Sequence, residues 1–188
     1  MIFLFLISKV YLGLVLILIH LILALCLIET EDGPWKMVLQ TTLDDSRKQT
    51  DPLPLQEFSI PSTQGRFVKF ELMSYYGRGG GLQYFNINKN GPKVVKEKSS
   101  SYPHPNDIYS VQNLLTRSRK KEERGNYWVL PDKATGQGFM LDFGTVKKFN
   151  FVQLVNTHNA ESRDRSTKQF KILLRCIILH VLVSVNLF

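Results

Sequence analysis

The chain has 188 residues, of which 44% are apolar, and carries 24 Lys and Arg against 16 Asp and Glu for a formal charge of +8. That length suits one ordinary domain or slightly more and is too short for a large enzyme. Two cysteines exclude both a disulfide-dense scaffold and a four-cysteine zinc site. Composition then divides the chain in three. Residues 1–28 and 176–188 are almost wholly apolar, and the stretch between them holds all 16 acidic residues and most of the aromatic ones.

Residues 10–28 contain no charged side chain. As a helix this run is about 28 Å long, close to the hydrocarbon thickness of a bilayer. Lys9 precedes it, and Glu29, Glu31 and Asp32 follow, an asymmetry that favours a cytoplasmic N-terminus and an exported remainder. A signal peptide is the rival reading, with Ala24-Leu25-Cys26 as its small-residue cleavage site. A gene-model artefact is a third. The expectation is an N-terminal apolar helix at 1–28, acting as signal peptide or transmembrane anchor, then a domain at 29–175. The apolar tail at 176–188 is too short to span a bilayer as a helix.

Strand patterns dominate the middle. Val68, Phe70 and Leu72 alternate with Lys69 and Glu71; Phe139, Leu141 and Phe143 alternate with Met140 and Asp142; Phe170 and Ile172 flank Lys171. From Phe149 to Val155 apolar residues fall on both parities, so that strand is apolar on both faces at its centre. Period two with aromatic and β-branched enrichment reads as strand. Turn-formers separate the runs: Asp51-Pro52, Pro61-Ser62, Asn90-Gly91-Pro92, residues 103–106 and Pro131-Asp132. No amphipathic helix longer than two turns is evident. Many short strands between such turns predict an all-β sandwich or jelly roll. Trp35 and Trp128 are read as structural, with sugar stacking as the alternative, and Gly79, Gly80 and Gly81 are read as a turn or bulge with positive φ. The glycine run lacks the Lys-Ser/Thr of a phosphate-binding loop and leads into a strand, which excludes that reading.

Three groups of motifs belong together. One is Trp128-Val129-Leu130-Pro131-Asp132 with Thr135-Gly136-Gln137 and Leu141-Asp142-Phe143-Gly144. The second is Asn156-Thr157-His158-Asn159-Ala160 with Asp164-Arg165-Ser166-Thr167-Lys168-Gln169-Phe170. The third is Gly65-Arg66-Phe67-Val68-Lys69-Phe70 with Ser74-Tyr75-Tyr76-Gly77 and the glycine run. Together they resemble the coagulation factor V/VIII type C domain, also called the discoidin domain, of the galactose-binding-like jelly-roll superfamily. Their order departs from that family. Residues 30–88 resemble the back half of such a domain and 94–174 the front half of the next. A fragment of a tandem array and a circular permutant both produce this order. Because the family's termini lie close together, the two halves are expected to close into one permuted sandwich.

The resemblance implies recognition through loops at one end of the sandwich, without catalysis. Its ligands would be cell-surface or matrix glycans, anionic phospholipid or protein partners. The matching loops offer Arg117, Arg119, Lys120 and Lys121, whose guanidinium and ammonium groups suit phosphate, sulfate or carboxylate, and Asn156, His158, Asn159, Arg163 and Arg165, which can donate to ring hydroxyls. Asp164 and Arg165 match a recurring Asp-Arg of the family and are read as an ion pair or loop brace. Family calcium sites draw on an acidic turn after the position of Asn113-Leu114-Leu115; Thr116-Arg117 stands there, so no cofactor or metal is expected, and calcium is implied by the resemblance alone and not by the residues. Scattered histidines without metal-ligand spacing give no catalytic set. The functional expectation is an extracellular or membrane-anchored glycan-recognition or adhesion module. Its alternative is a structural or protein–protein interaction module in a membrane-tethered or repeat-array protein. Nucleic acid is disfavoured, because the strand aromatics are committed to a core.

Overall fold

A computed structural model describes residues 34–88, 94–104, 106, 108–115 and 126–175. Pro34–Cys176 is a compact unit. The apolar segment 1–28, the tail 176–188 and the basic residues Arg117, Arg119, Lys120 and Lys121 lie outside the described residues. The strands are β1 (Lys36–Thr42), β2 (Leu55–Leu72), β3 (Tyr75–Gly77), β4 (Gly81–Asn86), β5 (Lys96–Ser99), β6 (Trp128–Val129), β7 (Gly138–Asn156), β8 (Arg165–Thr167) and β9 (Gln169–Arg175). Among the described residues, one short helix, α1 (Gln112–Leu115), and two 3₁₀ turns, Ser46–Lys48 and Ala160–Ser162, accompany them.

The described strands pair with one another antiparallel, in the order β1-β9-β2-β7-β4-β6 with β5 also on β7, and a separate β3-β8 pair; an isolated parallel bridge joins Gly79 to Arg165. The period-two alternation explains the core. Val68 is opposite both Leu141 and Leu174, and Phe70 is opposite both Phe139 and Ile172, so one face of three adjacent strands is apolar. Every one of these side chains is buried.

Two strands are far longer than sequence patterning indicates: β2 has 18 residues and β7 has 19. A straight strand of that length would run about 60 Å, whereas a domain of this size has a radius of gyration of about 14 Å. The β2–β7 ribbon therefore has to bend, and its register breaks at Ser59/Thr63 and Gly65/Phe67. Beyond the breaks, the C-terminal part of β2 and the start of β7 are flanked by β9, β1 and β5. The other half of the ribbon is flanked by β4 and β6. The two halves form facing layers of a sandwich. Across them, Phe85 of β4 meets Phe139 edge-on with centroids 5.1 Å apart, and Trp128 of β6 meets Phe70 at 5.9 Å. Pro61-Ser62, expected as a turn, instead sits inside β2 at the first break, where the ladder does not use the missing proline N–H.

The change of layer also explains the mixed parity of β7. Phe149, Val152 and Leu154 all enter the main core, while Val155 points to the other face and is covered by Leu53, Leu55 and Tyr84. Of the two tryptophans, Trp128 is fully buried and donates its indole N–H to the Ser100 carbonyl at 3.1 Å. Trp35 is half-buried just ahead of β1.

The strands β1–β4 come from residues 34–88 and β5–β9 from residues 94–175. Six of the seven pairings among the described strands join one piece to the other; the exception is β5 with β7. The first piece has no internal strand pair among the described residues, so its ladder is completed by the second.

Candidate functional site

The register fixes where loops gather. Gly81 at the start of β4 pairs with Val129 at the end of β6, and Leu82 pairs with Asn156 at the end of β7. The connections 77–81, 130–137 and 157–164 therefore meet at one end of the sheet. The segment carrying Tyr102, His104 and Tyr109 closes over them, held by the Tyr102 N–H on the Val129 carbonyl at 2.8 Å. Between these loops lies a cleft of about 350 Å³.

Glycine makes the loops fit. Gly77 has φ +80°, and a Cβ there would stand 2.3 Å from the Asp164 carbonyl oxygen. Its turn brings the Arg78 N–H onto that same carbonyl at 2.7 Å. Gly79, Gly80 and Gly81 do not have positive φ, contrary to the turn expected for them. Crowding requires them instead. A Cβ would meet the Arg165 guanidinium at Gly79, the Leu72 side chain at Gly80, and the Trp128 carbonyl at 2.3 Å at Gly81. Lys133, Asn159, Ala160 and Arg163 adopt left-handed backbone without being glycine. Such residues persist where the surrounding structure holds them, and they concentrate at binding loops.

One wall of the cleft is aromatic. Tyr109 packs edge-on against Tyr102 (5.9 Å) and His104 (5.7 Å), and its other side leans on Tyr127 at 5.5 Å. A chain of polar groups adjoins these rings. The Arg165 guanidinium lies 5.0 Å over the Tyr102 ring, donates to the Leu130 carbonyl at 2.8 Å, and pairs with Asp132. Arg78 donates to the other Asp132 oxygen at 2.8 Å and reaches Asp164 at 3.8 Å. Asn159 donates to Asp164 at 2.6 Å and accepts from the Tyr127 hydroxyl at 2.9 Å. Burial works to raise the Asp132 carboxyl, but the Arg165 and Arg78 guanidiniums outweigh it and hold it below the usual carboxylate range.

The sequence candidates separate in space. Asn159 and Arg165 line the cleft. Asn156 is buried: its amide nitrogen lies 2.8–2.9 Å from the Asp44 and Thr167 carbonyls and the Ser166 hydroxyl, and its oxygen accepts from the Thr167 N–H at 2.9 Å. It locks β7 to β8 and to Asp44, just ahead of the 3₁₀ turn at Ser46–Lys48. His158 is buried as well, with Nε2 3.5 Å from the Asp51 carboxylate. Arg163 donates to the Arg47 and Gln49 carbonyls at 3.0 Å and braces the same turn. Asp164 and Arg165 are loop braces with different partners: Asp164 accepts from Asn159, and Arg165 pairs with Asp132.

Sequence reasoning passed over Arg78, Tyr102, His104, Tyr109 and Asp132. Arg78 is hidden inside the glycine run, and Asp132 follows the Pro131 turn. Both flank turns whose geometry the sequence announces, which is the one local signal that marks them. Among the described residues, no group of three or more His, Cys, Asp or Glu could hold a metal ion. No described helix is long and apolar enough to cross a membrane. Compared with family models, curated proteins and solved structures, the chain matches none.

Proposed function

We propose that this protein is a non-catalytic recognition module, displayed outside the cell, that holds glycans or anionic surface groups in the cleft at the loop end of its β-sandwich. The observation that carries this reading is the cleft itself. It brings the aromatic side chains of Tyr102, His104 and Tyr109 together with the hydrogen-bonding groups of Arg78, Asn159 and Asp164. Recognition sites for small polar ligands combine apolar faces with a few fixed polar groups in this way. The residue resemblance to discoidin domains points in the same direction, and the apolar N-terminal segment supports export or anchoring.

The test is binding of the full chain, in detergent micelles, to an array of neutral, sialylated and sulfated glycans and to phosphatidylserine vesicles. Saturable binding that falls about tenfold in Tyr109→Ala supports the reading, since stacking on an aromatic face carries much of such affinity. Loss only on charge reversal of Arg119, Lys120 and Lys121 moves the site to the basic loop. Absence of saturable binding to every surface overturns the reading in favour of a structural or protein-interaction module.

A further inference from the structure

We propose that Arg175, at the far end of β9 from the cleft, is the binding group of a separate site that takes a small oxyanion of the phosphate or sulfate class; this is independent of the recognition reading above. Gln169 to Arg175 spans about 20 Å of strand. Arg175 is 4% exposed, and its Nη1 is buried without a hydrogen-bond partner. Its guanidinium carbon lies 4.8 Å over the Phe67 ring, and among the described residues no carboxylate pairs with it. Arginine keeps its charge when buried, and a buried charge is costly unless it is paired. The described chain supplies no such counter-charge.

The register explains why. Arg175 on β9 is opposite Phe67 on β2, Phe67 is opposite Asp142 on β7, and Asp142 is opposite Lys96 on β5. Directly paired residues share a face, so the four form one transverse row. Arg66 enters that row at the register break before Phe67. Its guanidinium carbon lies 5.0 Å over the same ring, and it forks onto Asp142 at 2.7 and 2.8 Å. The acid of the row is therefore held by Arg66, while Arg175 stands two strands away, about 10 Å. The other acids of these strands are engaged elsewhere. Glu71 is held by Lys171 at 2.8 Å and Lys69 at 3.2 Å, Glu57 accepts from Gln153, and Glu97 accepts from Gln112. Three cations, Arg66, Lys96 and Arg175, thus share the row with one acid, and Lys147 follows opposite Gly65 at the bend. This imbalance favours a divalent oxyanion over chloride or a carboxylate. The guanidinium fork matches phosphate and sulfate oxygens. Because Nη1 is buried, the site fits a small ion and not the flat surface of a bilayer.

The experiment follows thermal unfolding of the full chain in non-ionic detergent micelles while sodium phosphate or sodium sulfate replaces chloride at constant ionic strength. The expected result is a saturable rise in Tm, about 4 °C at ten times the half-saturating concentration. Methyl phosphate is expected to act like inorganic phosphate. Arg175→Met keeps an apolar body over Phe67 without the charge. It is expected to lose the saturable rise and to keep only the gradual stabilisation that phosphate and sulfate give by exclusion from protein surfaces. A second readout needs no variant to fold. In the ¹⁵N-labelled wild type the Arg175 guanidinium signals should shift with phosphate along one saturation curve, while those of Arg78 and Arg165 in the cleft stay in place. Four results overturn the site: no saturable response beyond chloride, a saturable response that survives Arg175→Met, phosphate shifts at Arg78 and Arg165 in place of Arg175, or a response to phosphatidic acid vesicles with none to inorganic phosphate. Each leaves the recognition reading to its own test on the glycan array.

Discussion

Replacing Phe70 by alanine probes how the two pieces of the chain are held together. Phe70 belongs to the first piece and is fully buried. Its neighbours belong to the second: it stacks on Phe139 at 5.1 Å and on Phe170 at 5.3 Å, and meets the edge of Trp128 at 5.9 Å. Withdrawing the ring from the core forfeits about 2–3 kcal/mol of transfer free energy. A residual cavity on the order of 100 Å³ adds about 2 kcal/mol at ~24 cal/mol per Å³. The expected loss is about 4 kcal/mol, a large share of a typical domain's stability. Urea unfolding followed by circular dichroism measures it, with Met37→Ala at a 54% exposed site as control, expected to cost less than about 0.5 kcal/mol. A double-mutant cycle with Phe139→Leu should return a coupling of about 1 kcal/mol. A Phe70→Ala loss below about 1.5 kcal/mol, or no coupling to Phe139, would refute the reasoning that the pieces share one packed interior.

Residues 34–88 and 94–175 expressed separately should each lack a cooperative unfolding transition and regain strand signal in circular dichroism on mixing; a folded isolated 34–88 would contradict the interleaved pairing. Gly81→Ala drives a methyl into the Trp128 carbonyl and should cost about 1–3 kcal/mol in thermal unfolding. The Arg66 fork on Asp142, at 2.7 and 2.8 Å, holds that carboxyl below the usual carboxylate range, with the Gly144 N–H helping. A carboxyl depressed in the folded state stabilises above its unfolded pKa and loses that contribution as pH falls through the folded value. Wild type should therefore lose stability below about pH 4, and Asp142→Asn should start less stable at neutral pH and lose less on acidification. Arg165→Lys cannot fork between Asp132 and the Leu130 carbonyl and should cost about 2 kcal/mol, read from the urea midpoint.

The alternation at Val68, Phe70 and Leu72, and at Phe170 and Ile172, was legible because each of those strands keeps one face on the core throughout. The length of β2 and β7 was not, because a strand that changes layers swaps its buried parity midway. Pro61-Ser62 then looks like an ending when it is a bend. The loop 157–164 was visible as a polar cluster, yet sequence could not say which of its side chains turn inward. Asn156 and His158 are drawn into the interior by partners at Asp44 and Asp51, more than a hundred positions away. Arg78, Asp132 and Tyr109 escape a local reading for the same reason, since only the cross-piece pairing of β4 with β6 and β7 brings them to a common cleft.

The most direct measurement is chemical-shift mapping of the ¹⁵N- and ¹³C-labelled full chain with a saturating concentration of the glycan that binds best on the array. The Arg78 guanidinium, the Asn159 side-chain amide and the rings of Tyr102 and Tyr109 should shift together along one saturation curve, while β1 and β5 stay unmoved. Shifts confined to the β1 edge, or none at the four cleft residues, would contradict a ligand seated where the two pieces of the chain meet.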